Sequence, residues 1–382
     1  MSKKLNQNLQ DSIINLQAEK HFTAFQTISK PSNKGLDIVS KDAMSPKERI
    51  GAFMEGKPID RFPCVPLILN HAARIAGVKI IDHARDGRVM GECHVKAYRH
   101  YGQDLITLFS DTAIIAEAMG TALYYQEEDV PRVEKPVVAE PGDLVNVKRA
   151  KPTDGRLPVY LEAIRTCLAA VGDEVMVTCC FSAPFTTAAG LRGTEYLARD
   201  LYRNKQLAHD LLKISTEVCK DFADAVIDAG ALPVIVDPVA TGSVLGERQF
   251  REFALPYLQD LHAHITKRGL PIVLHICGQT TRILDAILDS APAILSLDDI
   301  SMAEARDRAG HRVTLMGNVR PAQTLLQGTP EDVMREVRKL CEIGRGCGRG
   351  FILGSGCEVP IDAPVKNVEA MMEGVREFGK TS

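Results

Sequence analysis

The stretch P-I-V-L-H-I-C, residues 271–277, is a short apolar run that ends in two metal-ligating residue types, His275 and Cys277. Its near-continuous hydrophobicity is typical of a strand buried on both faces of a parallel sheet. Residues two apart on a strand point to the same side, so both side chains can project together from its carboxyl end. The run therefore predicts a buried parallel strand with a candidate site at its end.

Seven similar runs occur in the rest of the chain, and helical patterns separate most of them. They lie at residues 62–69, 105–109, 175–181, 233–237, 293–298, 313–317 and 351–355. Eight short strands alternating with helices predict an α/β fold of the (β/α)8 or TIM-barrel type. The alternative is a doubly wound sheet, but no strand is followed by a dinucleotide-type glycine fingerprint. Residues 111–174 are too many for one connection, so we expect extra strands or a lid there.

The barrel domain is expected to begin at Ser45, where a polar segment with little periodicity gives way to a helix start motif. The motif S-P-K-E offers an N-cap, a proline at the first helical position and the acidic Glu48, and predicts a helix that runs to Gly56. The preceding residues are polar, with little periodicity beyond a possible helix from Leu9 to Lys20. The sequence thus predicts an N-terminal arm over residues 1–44 and a barrel over residues 45–382.

Composition narrows the class of protein. The 382 residues are 45% hydrophobic and 25% charged, and the net charge is -3. Proteins that bind nucleic acid usually carry a cluster of basic residues, and this composition gives no sign of one. No apolar run approaches the roughly 18 residues needed to span a bilayer, and the N-terminus lacks the apolar core of a signal peptide. We therefore expect a cytoplasmic protein whose ten cysteines are reduced thiols.

A third potential metal ligand, Cys357, lies in G-S-G-C-E-V-P at the end of the last predicted strand. The carboxyl ends of all barrel strands open onto one mouth, which is the catalytic face of such enzymes. One imidazole and two thiolates favour zinc, and three protein ligands leave a fourth position for water or substrate. The alternative is that His275 and Cys277 are ordinary core residues, because both types are common on apolar strands.

The motif S-L-D-D-I offers an oxygen ligand at the end of the sixth strand. Adjacent residues of a strand face opposite sides, so only one of Asp298 and Asp299 can face the mouth. We take Asp299 as the predicted fourth ligand, with Asp298 or water as alternatives. Either carboxylate could instead orient His275 or cap the helix that begins near Ser301.

Other polar residues follow predicted strands and are candidates for the barrel mouth. Asp237 and Asn318 are predicted catalytic residues and Ser243 a predicted cofactor contact, although each type also caps helices or forms turns.

Four further residues have open roles in the sequence. Asp111 and Glu117 are either mouth or surface residues, and Glu358 either hydrogen-bonds beside Cys357 or faces solvent. His94, on a helical pattern, is expected to be a surface or capping residue.

The pair of motifs H-I-C-G and, about eighty residues later, G-S-G-C-E-V-P resembles the zinc-dependent methyltransferases of the uroporphyrinogen decarboxylase superfamily, especially methylcobamide:coenzyme M methyltransferases. The resemblance extends over residues 45 to about 380, through S-P-K-E-R-I-G-A-F-M-E-G-K-P-I-D-R-F-P, F-S-A-P-F-T-T-A-A-G-L-R-G, D-P-V-A-T-G-S-V-L and L-M-G-N-V-R-P-A-Q-T-L-L-Q-G-T-P. It implies a barrel fold and zinc ligation by His275, Cys277 and Cys357.

The resemblance also implies a reaction. A methyl group would pass from a methylated corrinoid, presented by a carrier protein, to a thiol such as coenzyme M that zinc activates. One alternative is the reverse half-reaction, in which a methoxy or methylthio compound is demethylated onto cob(I)alamin. Another is a corrinoid-binding protein without turnover, in which zinc has a structural role. A metal-free uroporphyrinogen decarboxylase is disfavoured, because the arginine-rich N-terminal motif of those enzymes is missing and only Arg74 is nearby.

Overall fold

The computed structural model describes residues 42–381, so nearly all of the predicted arm, with its possible helix at Leu9–Lys20, lies outside the described residues. The strands are β1 Cys64–Leu67, β2 Leu105–Leu108, β3 Ala122–Tyr124, β4 Arg132–Lys135, β5 Met176–Ser182, β6 Leu232–Val236, β7 Val273–His275, β8 Ile294–Ser296, β9 Thr314–Val319 and β10 Phe351–Glu358.

The helices mostly lie between these strands. They are α1 Pro46–Met54, α2 His71–Ala76, α3 Ile80–Arg85, α4 Gly87–Tyr101, α5 Ile114–Ala118, α6 Leu157–Val171, α7 Pro184–Arg192, α8 Thr194–Arg203, α9 Lys205–Asp228, α10 Glu247–Gln249, α11 Leu255–Lys267, α12 Leu284–Leu288, α13 Met302–Ala309, α14 Pro330–Gly344 and α15 Val365–Phe378. Short 3₁₀ turns occur at Pro141–Asn146 and Pro238–Ala240, and π-helical turns at Phe250–Ala254 and Pro321–Leu326. Among residues 42–381, no helix is both long and apolar enough to cross a membrane.

Eight parallel strands form one sheet in the order β1-β10-β9-β8-β7-β6-β5-β2, which confirms the predicted (β/α)8 barrel. The two end strands, β1 and β2, are joined at their amino ends through Asp104. Its backbone N–H donates to the Cys64 carbonyl at 2.9 Å, and its carboxylate accepts from the Cys64 N–H at 2.6 Å. The carboxylate thus replaces a ladder hydrogen bond where the barrel closes.

The helix predicted at Ser45 is present as α1, with a complete capping box between Ser45 and Glu48. Its residue Arg49 is fully buried and donates to Asp104 at 2.6 Å, while Lys47 donates to the Gly172 carbonyl at 2.8 Å. These contacts hold α1 across the amino end of the barrel, opposite the mouth.

The long interval 111–174 contains additional strands, as predicted. Strands β3 and β4 pair antiparallel and form a separate two-stranded sheet between α5 and α6. Arg156, which directly precedes α6, is buried and donates to Asp111 at 2.7 Å and to Glu117 at 2.7 Å. These ion pairs fasten the excursion to the segment that follows β2.

Candidate metal centre

His275, Cys277 and Cys357 meet at the carboxyl ends of β7 and β10. Nε2 of His275 lies 2.9 Å from the Cys277 sulfur, and the two sulfurs are 3.3 Å apart. All three potential ligand atoms lie within 4.8 Å of one another, and within residues 42–381 this is the one such group of three or more. His275 is buried and both cysteines are partly exposed, so the cluster lies at the boundary between the barrel interior and the mouth.

The neighbouring strand β8 orients the imidazole of the cluster. Ser296 is the register partner of His275 in the parallel β7–β8 pair, and its hydroxyl lies 3.0 Å from Nδ1. This contact leaves Nε2 directed at the cysteines. A partner on the second ring nitrogen is the usual way in which proteins fix a metal-binding histidine. Ser296 was not predicted from the sequence, because its register with His275 depends on the pairing of β7 with β8 and no local motif marks it.

The backbone turns sharply directly after Cys277. Gly278 has φ of +70°, the left-handed region that glycine adopts without a steric penalty, and its N–H donates to Asp298 Oδ2 at 2.7 Å. On the other side, a Cβ added at Gly356 would lie 3.0 Å from Asp298 Oδ1. Asp298 therefore contacts both segments that carry the cysteines.

The second aspartate of the pair, Asp299, also contacts the segment after Cys277, because its backbone N–H donates to the Gly278 carbonyl at 3.3 Å. Asp299 is exposed, whereas Asp298 is half-buried beside the cysteine segments. Neither carboxylate belongs to the three-residue cluster as described. Asp298 has the carboxylate that bonds beside Cys277, and the assignment of Asp299 as the fourth ligand stays a prediction.

The cluster is electrostatically prepared for thiolate chemistry. Hydrogen bonding with Cys277 lowers the pKa of the Cys357 thiol to about 4, and the nearby His275 ring adds to this effect. The same hydrogen bond raises the pKa of Cys277, because the bond favours its protonated form. Burial raises the pKa of Asp298 and raises that of Glu358 to about 7. The two thiols are therefore not equivalent, and Cys357 is the sulfur that ionises more readily.

The donor set fits zinc. Tetrahedral zinc with bonds of about 2.3 Å to sulfur holds two thiolates about 3.8 Å apart, close to the 3.3 Å between Cys277 and Cys357. A shift of a few tenths of an ångström in each sulfur supplies the difference. His275, Cys277 and Cys357 would hold the ion, and a fourth position would remain for a substrate atom.

The remaining predicted site residues lie near the mouth but bond mainly to protein. Asp237 is fully buried and accepts from the N–H and hydroxyl of Thr186 in the first turn of α7. Asn318 donates to the Asp298 carbonyl at 2.9 Å and to the Ile300 carbonyl at 2.7 Å.

Two further candidates have distinct surroundings. Ser243 is exposed in the loop after β6 and is not part of the cluster. Glu358 is partly buried and accepts from the backbone N–H and the side-chain amide of Asn70, both at 2.9 Å.

The expectation that His94 is a surface or capping residue was wrong. Helix α3 covers this face of α4, and the His94 ring is fully buried 5.5 Å from that of His83.

A parallel eight-stranded barrel with a Cys2His cluster at its carboxyl mouth defines a TIM-barrel enzyme with a candidate metal centre. Residues 45–378 match the uroporphyrinogen decarboxylase (URO-D) family, and the chain belongs to it. This confirms the resemblance seen in the sequence.

The known relatives include two kinds of enzyme. The chain is 25% identical over 340 residues to the methylcobamide:CoM methyltransferase MtbA of Methanosarcina acetivorans, covering 87% of this chain and 98% of the relative. It is 32% identical over 285 residues to a uroporphyrinogen decarboxylase of Methylobacillus flagellatus, covering 71% and 78%. Among solved structures, a methyltransferase from Methanosarcina mazei superimposes with a TM-score of 0.80 at 26% identity, over 88% of this chain and 99% of that one.

Proposed function

We propose that the protein is a zinc-dependent methyltransferase that moves a methyl group from a corrinoid, carried by a partner protein, to a small thiol. The observation that carries this proposal is the His275–Cys277–Cys357 cluster at the barrel mouth. The names of several relatives, which include methylcobamide:CoM methyltransferases and a methylated-thiol–coenzyme M methyltransferase of Methanosarcina mazei, support it.

The residues of the cluster would hold the metal and the substrate sulfur in one place. Zinc bound to two thiolates and an imidazole acts as a Lewis acid that lowers the pKa of a substrate thiol. The Ser296 hydroxyl keeps the His275 ring oriented, and the Asn318 amide fixes the carbonyl of Asp298, whose carboxylate lies against both cysteine segments. We therefore assign Asn318 a positioning role.

The reaction itself needs little from the protein beyond placement. The S–H bond of the acceptor would break and its proton would pass to solvent. The sulfur lone pair would then attack the methyl carbon, while the electrons of the cobalt–carbon bond remain on cobalt. In-line transfer depends on holding both partners in line, so the mouth must bind the corrinoid while the cluster binds the thiol. Exposed Ser243 is our proposed corrinoid contact, and Asp237 supports the same loop through Thr186 of α7.

A tetrapyrrole decarboxylase is the second candidate, because uroporphyrinogen decarboxylases also occur among the relatives. Such a substrate carries several carboxylates and requires cationic partners. Arg74 is paired with Asp362 at 2.5 Å, and buried Arg156 is paired with Asp111 and Glu117. These arginines are already paired, and the acids beside the cluster are Asp298 and Glu358, so the surroundings favour the methyltransferase.

The test is zinc quantification paired with a methylcobalamin demethylation assay across several thiols. The proposal expects about one zinc per chain and thiol-dependent loss of the methyl–cobalt absorbance. Transfer observed only from methoxy or methylthio compounds to cob(I)alamin would reverse the proposed direction. Uroporphyrinogen decarboxylation that survives a strong chelator, without methyl transfer, would replace the proposal by the second candidate.

A further inference from the structure

A cavity of about 290 Å³ lies inside the barrel, beneath the metal cluster. At one end it reaches His275, Cys277 and Cys357, and at the other it reaches Phe53 and Met54 of α1. Inward side chains of all eight barrel strands line it; we call it the barrel chamber and define it by Val65, Thr107, Thr178, Val234, Val273 and Ile352. The interior of a TIM barrel is normally filled by its side chains, so an open chamber is a departure that needs an explanation.

The accessibility of the strands independently supports the chamber. On β6, outward-facing Ile235 is 0% exposed, whereas its inward-facing neighbour Val234 retains 8%. On β7, outward-facing Leu274 is 0% exposed and inward-facing Val273 retains 7%. The exposed fractions alternate with the two-residue period of a strand. The outward-facing side chains of these strands are therefore fully covered by the helices, whereas the inward-facing ones border an open space along the barrel axis.

The walls of the chamber are strongly apolar. Lys47 is the one lysine or arginine among the described residues that line it, and its amino group bonds to the Gly172 carbonyl at the end of the barrel remote from the cluster. Near the cluster, the ionisable lining group other than the three cluster residues is Glu358, an acid, and Asp298 lies close by. An anionic substituent in the chamber would lose its hydration and meet no lysine or arginine near the cluster, which is unfavourable.

We infer that the substrate of this enzyme is an uncharged thiol whose apolar tail occupies the barrel chamber while its sulfur meets the His275–Cys277–Cys357 cluster. This inference rests on the proposed function and specifies its substrate class. The volume of the chamber, about 290 Å³, is just below the roughly 300 Å³ of the smallest usual small-molecule sites. Burial of each ligand methylene in it should strengthen binding by about fourfold. A thiol that ends in a sulfonate gains nothing from these walls.

Calorimetry on the zinc-loaded protein tests the inference with two ligand series. The first is the 1-alkanethiols from ethanethiol to hexanethiol, with 2-mercaptoethanesulfonate for comparison. The second is the 1-alkanols of the same lengths, which enter the chamber without a thiol. We expect the dissociation constant to fall roughly fourfold per methylene in both series, and 2-mercaptoethanesulfonate to bind no tighter than ethanethiol. Dissociation constants independent of chain length, or tighter binding of the sulfonate than of butanethiol, would overturn it.

The outcomes separate this inference from the proposed function. If binding depends on chain length but no thiol accepts a methyl group, the chamber is a ligand site and the proposed methyltransferase function is wrong. If 2-mercaptoethanesulfonate accepts the methyl group and binding does not depend on chain length, the proposed function is supported and the inference about the chamber is wrong.

A substitution in the chamber wall locates the binding site. Val234→Phe places a ring in the chamber and shortens the space left for a ligand, so it should reduce the gain from the longer chains. Val234→Thr, which has nearly the same size as the wild-type residue, should retain most of that gain. Both variants should keep their zinc. If Val234→Phe does not fold, Ile352→Phe places a ring in the chamber from the opposite wall and should also reduce the gain. Unchanged chain-length dependence in a folded phenylalanine variant would contradict the inference.

Discussion

The hydroxyl of Ser296 lies 3.0 Å from Nδ1 of His275, and it joins strands β8 and β7 directly behind the metal cluster. We expect Ser296→Ala to weaken zinc binding by about 10- to 100-fold, because the imidazole loses the partner that fixes its orientation. Ser296→Thr retains a hydroxyl and should restore most of the affinity. A competition titration with a chromophoric chelator measures both, and equal affinities for Ser296→Ala and the wild type would contradict the role of Ser296.

The two adjacent aspartates after β8 provide a matched comparison. Asp298 touches both cysteine segments, whereas Asp299 is exposed. Asp298→Asn should therefore lower zinc affinity by roughly tenfold, through loss of negative charge beside the site, and Asp299→Asn should leave it unchanged. The same chelator competition distinguishes them. A larger effect at Asp299 would restore that residue as the oxygen ligand.

Asp104 is expected to be essential for barrel closure. It is fully buried and accepts from Arg49 at 2.6 Å, from Arg61 at 2.7 Å and from the Cys64 N–H at 2.6 Å. Asp104→Asn removes one carboxylate from both guanidinium groups, although Arg49 keeps Asp60 and Arg61 keeps Asp42, each at 2.7 Å. The substitution should therefore cost about 1–3 kcal/mol of unfolding free energy.

Urea denaturation followed by circular dichroism measures this loss. Glu92→Gln, which breaks the exposed pair with Arg88, is the control and should leave the denaturation midpoint unchanged. Equal midpoints for the Asp104 variant and this control would show that the carboxylate is dispensable.

Three buried histidines should make the fold sensitive to acid. Burial lowers the pKa of His83 and of His262 to about 4, and lowers that of His94 well below its usual range. The folded state holds these rings neutral while the unfolded chain protonates them below about pH 6.5. Their contribution to stability is therefore complete above pH 6.5 and is lost as the pH falls toward 4.

Thermal unfolding between pH 7.5 and 4.5 measures this effect, with a chelator present so that zinc release does not contribute. His94→Leu should reduce the dependence of the melting temperature on pH. His100→Gln alters a partly exposed ring that pairs with Glu369, and should leave that dependence unchanged. A melting temperature of the wild type that does not fall over this range would refute the expectation.

The fold was predictable because each barrel strand is apolar on both faces. The apolar run that contains His275 coincides with β7, and the run before Cys357 coincides with β10. The meeting of these two residues followed from topology alone, since the carboxyl ends of parallel barrel strands share one mouth.

Other features depended on packing that the sequence does not display. The position of Asp298 relative to Asp299 depends on the path of the backbone around Gly278 and Gly356. The burial of His94 depends on α3, which lies over α4. The barrel chamber depends on side-chain volumes summed across eight strands, and no local pattern reports that sum.

The central claim is that the three-residue cluster binds the zinc that activates a thiol for methyl transfer. The most direct measurement is zinc content together with methylcobalamin demethylation in the wild type, in Cys357→Ala and in Cys347→Ala, whose cysteine lies outside the cluster. We predict about one zinc per chain and thiol-dependent transfer in the wild type and in Cys347→Ala, and loss of both in Cys357→Ala. Full zinc occupancy and undiminished methyl transfer in Cys357→Ala would contradict the account.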